Sequence, residues 1–119
     1  MGKDKYRDFH YDFLEKYVQG RYQSFDGFRV RYAFDNGYGA SVVCHSGSYG
    51  GPEGLFEIAV LDNKTGKLLY DTPITGDVLG YCTQKEVENT LINILGLYPK
   101  NGEKPAIVET YKKGGFEFL

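Results

Sequence analysis

The chain has 119 residues, a formal net charge of −2, 41% apolar residues and 25% charged residues. This is ordinary globular composition for a single domain over 1–119, and it excludes a disordered chain and a second independent core. Acidic and basic residues are interspersed, which argues against broad nucleic-acid binding, and no run approaches the roughly 20 apolar residues of a membrane helix.

Residues 4–18 carry Tyr6, Phe9, Phe13 and Tyr17 at spacings of three and four. That spacing predicts a helix with one apolar face, widened by Leu14 and Val18. Asp4 is its expected N-cap and Gly20 its stop. The charged, aromatic start has no apolar stretch of the secretory kind, and Tyr6 replaces the hydroxyl residue of a myristoylation motif, so the expected location is the cytoplasm.

Residues 28–34 alternate, with Phe28, Val30, Tyr32 and Phe34 on one face and Arg29, Arg31 and Ala33 on the other, as a half-buried strand requires. Asn36-Gly37 then predicts a type I′ hairpin. A two-residue turn there pairs Val30 with Val43 and Tyr32 with Ser41. Val42 and Cys44 would then share a face with the arginines. Either both faces of the second strand, 38–45, are partly covered or a bulge shifts the register; two amphipathic helices in need of a surface favour the first. A third, most buried strand is read at 55–61. The Asn63-Lys64-Thr65-Gly66 turn should end on a left-handed glycine. A fourth strand is read at 67–71, ended by Pro73. Thr83 and Glu86 form a capping box, and Val87, Leu91, Ile94 and Leu95 follow at helical spacing up to Gly96. Residues 106–111 are read as a short further strand. The expected fold is therefore α+β: a four-stranded antiparallel meander with an N-terminal helix and a second helix after the sheet.

Residues 45–54, HSGSYGGPEG, form the segment richest in functional groups. Its four glycines permit close approach of backbone to a ligand, and glycine-rich backbone can cradle an anion. The segment is neither a Walker A nor a dinucleotide fingerprint, because no G-K-[ST] is present and it joins two strands. Cys44 and His45 are adjacent in a strand, so their side chains diverge and do not make a nucleophile–base pair. Ser46 and Ser48 have no third partner for such chemistry. His10, His45, Cys44 and Cys82 lack zinc-ligand spacing, and the two cysteines are expected as reduced thiols in or near the core. No catalytic residue, cofactor or metal is assigned. Arg29 and Arg31 make a basic stripe able to grip a phosphate or carboxylate. The chain also has 11 Tyr and no Trp. So many phenols exceed what this core can bury with partners, and surface tyrosine is enriched at binding sites. The binding residues are therefore expected among Arg29, Arg31, Tyr38, His45, Ser46, Ser48, Tyr49 and Glu53.

The stretches GYGASVV (37–43), GLFEIAVL (54–61) and DTPITGDVLGY (71–81) resemble small proteins encoded by tailed bacteriophages and prophages. The resemblance covers about the middle half of the chain and carries over no site residue. It implies a protein that works inside the host cell by binding a host protein, including components of host defence. The leading expectation is thus a non-enzymatic binding protein docked on a host protein. The alternative is a small-ligand or nucleotide binder that uses the 45–54 loop and the arginines on an anionic ligand. An enzyme centred on His45 or His10, and a homodimer through a sheet edge, are the remaining readings.

Overall fold

The computed structural model describes residues 10–99. Within them the fold is α+β, built on one antiparallel sheet whose five strands lie in chain order. They are β1 (Val18–Ser24), β2 (Gly27–Ala33), β3 (Tyr38–Cys44), β4 (Phe56–Asp62) and β5 (Val78–Cys82), followed by one α-helix, α1 (Gln84–Leu95). The sheet thus has one strand more than the sequence suggests.

The extra strand occupies the stretch between the expected first helix and the strand at 28–34, which the sequence leaves unassigned. Residues 4–9 of that helix lie outside the described residues. Asp12–Tyr17 is a 3-10 helix, and Val18 begins β1. The apolar stripe does not dock as a unit, because Phe13 is 59% exposed while Leu14 is fully buried. β-Branched Val18 and Gly20 are weak helix formers, and the open edge of β2 offers them backbone pairing instead, through a register shift between Val18 and Gly20.

The β2–β3 hairpin differs from expectation by one residue. Phe34 N–H donates to Tyr38 O at 2.9 Å, so the loop is Asp35, Asn36 and Gly37, with Gly37 in the left-handed region at φ 90°. Val30 now faces Val42, Tyr32 faces Ala40 and Phe28 faces Cys44. A one-residue slip turns every side chain over. This register gathers the buried Val30, Tyr32, Ala40, Val42 and Cys44 on one face, so the second strand needs no cover on its other side.

Residues 67–71 do not form a strand. Leu68 makes a single bridge to Leu61, and Leu69 N–H donates to Val60 O at 2.8 Å. The rest of the β4 edge pairs with β5, through a register shift between Phe56 and Ile58. Proline lacks the N–H a ladder needs, and Pro73 follows too closely for the first pairing to continue. The 63–66 turn ends on left-handed Gly66 (φ 76°), as its sequence indicates.

Helix α1 starts at its capping box. Glu86 N–H donates to Thr83 Oγ1 at 3.1 Å, and Thr83 N–H donates to Glu86 Oε1 at 2.8 Å. Its buried side chains Val87, Leu91, Ile94 and Leu95 pack on the face that carries Val30, Tyr32, Val42, Ile58 and Val60. Leu14 joins the same core, and the free thiols of Cys44 and Cys82 are buried in it. The 3-10 helix Asp12–Tyr17 and α1 therefore sit on one face of the sheet and leave Arg29 and Arg31 on the other. None of the described helices is long and apolar enough to cross a membrane. The expected strand at 106–111 lies outside the described residues.

Tyr11 ties the 3-10 segment to the helix start, its hydroxyl donating to Gln84 O at 2.6 Å. Burial, helped by the nearby Glu88 carboxylate, pushes this phenol from 10.0 up to about 12. A raised folded-state value means that its stabilising contribution is complete below the ordinary value and disappears as pH climbs through the raised one. We expect an alkaline absorbance titration to show a late tyrosine step that Tyr11→Phe removes. An unchanged titration in that variant would reject the assignment.

Candidate functional site

The sheet has two ends. One holds the β1–β2 turn, the 45–54 loop and the close of β5; the other holds the β2–β3 loop and the 63–66 turn. The expected site residues divide between these ends and the open face, and do not converge on one centre.

The 45–54 loop runs across the first end. At the β1–β2 side, Ser46 N–H donates to Asp26 Oδ1 at 2.9 Å, and the His45 ring meets Phe25 edge-on with centroids 4.6 Å apart. That Ser46 amide is the main reason the exposed Asp26 carboxyl lies below its ordinary value. At the β5 side, Tyr81 N–H donates to Tyr49 O at 3.1 Å, and the Tyr49 side chain lies over Gly80. Between these anchors the loop closes on itself. Ser48 Oγ accepts from His45 N–H at 3.0 Å and donates to His45 O at 2.9 Å, while Gly47 N–H donates to His45 Nδ1 at 3.0 Å. Tyr49 N–H donates to Glu57 Oε1 at 2.8 Å. Gly51 N–H donates to Ser48 O at 3.0 Å, and the Glu53 and Gly54 amides return to Gly50 O and Gly51 O at 3.0 and 2.8 Å.

These bonds determine what the loop can do. Most of its amides are engaged within the protein, two of them by the Asp26 and Glu57 carboxylates, so they do not form the outward row of donors that an anion nest needs. Ser48 Oγ is engaged with the backbone of His45 rather than its ring, and Cys44 points inward with its thiol 4.0 Å from Gly51 O. His45 and Ser48 are buried, whereas Ser46, Tyr49 and Glu53 are exposed. Among the described residues, no three His, Cys, Asp or Glu side chains gather as a metal site requires.

The same end carries exposed aromatic rings: Phe25 is 79% exposed, Tyr49 59% and Tyr81 58%. Phe25 and Tyr81 are also the non-glycine residues with left-handed backbone among the described residues, at φ 54° and 56°. Sequence reading missed both. The sequence assigns no element between Gly20 and Phe28, so nothing marks Ser24-Phe25-Asp26-Gly27 as a turn between strands. Tyr38 lies at the opposite end, half-buried against the core, and does not join this group.

Arg29 and Arg31 stand on the open face. Arg29 faces Val43, and Val43 in turn faces Glu57, so the three make one row across β2, β3 and β4. The guanidinium of Arg29 lies 5.5 Å from the Tyr22 ring centroid, and Tyr22 in turn covers Gly20. Arg31 lies beneath the 63–66 turn and donates to Asn63 O at a long 3.4 Å.

No family model, no curated protein and no solved structure matches this chain.

Proposed function

We propose that this is a non-enzymatic binding protein that docks on another protein through the aromatic end of its sheet. The observation that carries this reading is the conjunction at Phe25 and Tyr81. Each is a large, exposed apolar ring held in a backbone conformation that favours glycine. Such a placement costs about 1–3 kcal/mol, and strain of this kind collects at functional sites. Exposed aromatics serve a partner that covers them, and aromatic anchors dominate protein interfaces. The internally hydrogen-bonded 45–54 loop carries Tyr49 between the two, and strand spacing makes the end about 20 Å wide. The resemblance to phage proteins supplies the kind of partner: a protein of the host cytoplasm, with components of host defence as the first class to try.

A tagged pull-down from host lysate, read by mass spectrometry, tests the reading. One stoichiometric protein partner is expected. Phe25→Gly and Tyr81→Gly should each stabilise the free protein by about 1 kcal/mol, raising its melting temperature by about 4–8 °C, because glycine adopts this φ freely. The same variants should lose the partner. If both become more stable and still recover it in full, the aromatic end is not the docking surface. Absence of any partner would reject the function itself.

A further inference from the structure

The open face of the sheet holds a groove of about 270 Å³, which meets the aromatic end at Glu57, the acceptor of the Tyr49 amide. Its floor is apolar, made by Val43, Ala59 and Leu61, with the Ser41 hydroxyl beside them. Arg29 stands on one flank and Glu57 on the other. The turn that carries Gly66 walls the β4 side, and the Tyr22 ring lies against Arg29 on the β1 side.

The arginines are the unexplained part of this face. The Nε atoms of Arg29 and Arg31 are buried and have no hydrogen-bond partner among the described residues. No carboxylate of the described residues lies within 4.0 Å of either guanidinium. A buried N–H donor without an acceptor is costly, and these two atoms are closed off from the groove, so a groove ligand meets the guanidinium charge and not Nε. A guanidinium cannot shed its charge to escape that cost, and its planar fork matches a carboxylate with two parallel bonds.

The surroundings narrow the class of ligand. Glu57 places a negative charge across Val43 from Arg29, which weighs against a dianionic phosphate and favours a single charge. The volume falls below the roughly 300–1,000 Å³ of pockets for drug-sized ligands, so a nucleotide is too large. The apolar floor rewards a hydrocarbon body beside the charge. We propose that this groove binds a small monocarboxylate with an apolar body, its carboxylate on the Arg29 fork and its body on Val43, Ala59 and Leu61. Arg31, held under the 63–66 turn, adds positive field from the next position on the same face.

The test is an NMR titration of the ¹⁵N-labelled full chain with isovalerate, its neutral amide isovaleramide and inorganic phosphate. Isovalerate should shift the backbone signals of Ser41, Val43 and Ala59 and the Arg29 Nε–H signal in a saturable way. Isovaleramide and phosphate should bind at least about tenfold more weakly. Arg29→Gln should weaken isovalerate by about tenfold to a hundredfold. If that variant fails to fold, Arg29→Lys keeps the charge and loses the fork, and should still weaken binding several-fold. Equal binding of the amide would mean that the floor alone acts, and equal or tighter binding of phosphate would mean a general anion patch; either overturns the proposal. So does unaltered affinity in a folded Arg29 variant, or no response to isovalerate in the millimolar range. Because the groove and the aromatic end share no tested residue, failure here leaves the docking reading standing, and the converse holds.

Discussion

Asn36→Asp is expected to destabilise the protein by about 3–4 kcal/mol, and Asn36→Ala by about 2–3 kcal/mol. The reason lies far from the turn that Asn36 belongs to. Its side chain is 3% exposed, and its Nδ2 group donates to Ile94 O, Leu95 O and Leu97 O at 2.8, 3.0 and 3.1 Å. Those carbonyls close the C-terminal end of α1, where the last backbone acceptors lack helical partners. Its Oδ1 accepts from Tyr38 N–H at 3.1 Å and shapes the hairpin loop. One amide therefore joins the β2–β3 turn to the helix that covers the core. Alanine removes the three side-chain bonds and leaves Ile94 O with the Leu97 N–H at 3.1 Å. Aspartate does more harm, because it sets a negative charge against the negative end of the helix dipole.

The order of the two variants is the discriminating result. Urea unfolding should give both a lower midpoint with an unchanged slope, aspartate below alanine at neutral pH. On acidification the aspartate becomes a neutral acid able to donate, and the gap should close. If aspartate is as stable as alanine at neutral pH, the side chain does not serve the helix end. Since whole domains are stable by only about 5–15 kcal/mol, either loss is a large share of the total.

The same residue shows where sequence reading stops. Asn36-Gly37 announces a hairpin, and a hairpin forms. The dipeptide does not distinguish a two-residue from a three-residue loop, and that single residue decides which way β3 faces. The signal that settles it was present but non-local: Val30, Tyr32, Ala40, Val42 and Cys44 are all apolar, and one register alone puts them together. The capping box at Thr83 was legible because both its partners lie within four positions. β1 was not, since this edge strand has no fully buried residue, and Gln19, Gly20, Arg21, Tyr22 and Gln23 read only as a connection after a helix that stops at Gly20. The Arg29–Arg31 face followed from period-two patterning, whereas the rest of its groove comes from β4, brought there by pairing.

The loop glycines give a second large effect, with an internal control. Sequence reading treats glycines of the 45–54 loop as room for a ligand to approach. A side chain begun at Gly51 would stand 1.8 Å from His45 O and 2.4 Å from Ser48 Oγ, so this glycine is spent on the approach of the chain to itself. Neither neighbour can give way easily, because Ser48 Oγ is bonded to both the amide and the carbonyl of His45. Gly51→Ala should therefore cost about 2–4 kcal/mol by forcing the loop apart. At Gly47 the nearest atoms to such a side chain are His45 ring atoms at 3.4 and 3.5 Å, which is ordinary contact. Gly47→Ala should be neutral within about 0.5 kcal/mol, or slightly stabilising through the unfolded chain. Thermal unfolding of the two variants side by side checks the pair. Equal and small effects would mean that the loop opens readily and does not hold Tyr49 in place. The expected divergence would make the loop a rigid strut, and a rigid strut presents a ring to a partner with little ordering entropy left to lose on binding.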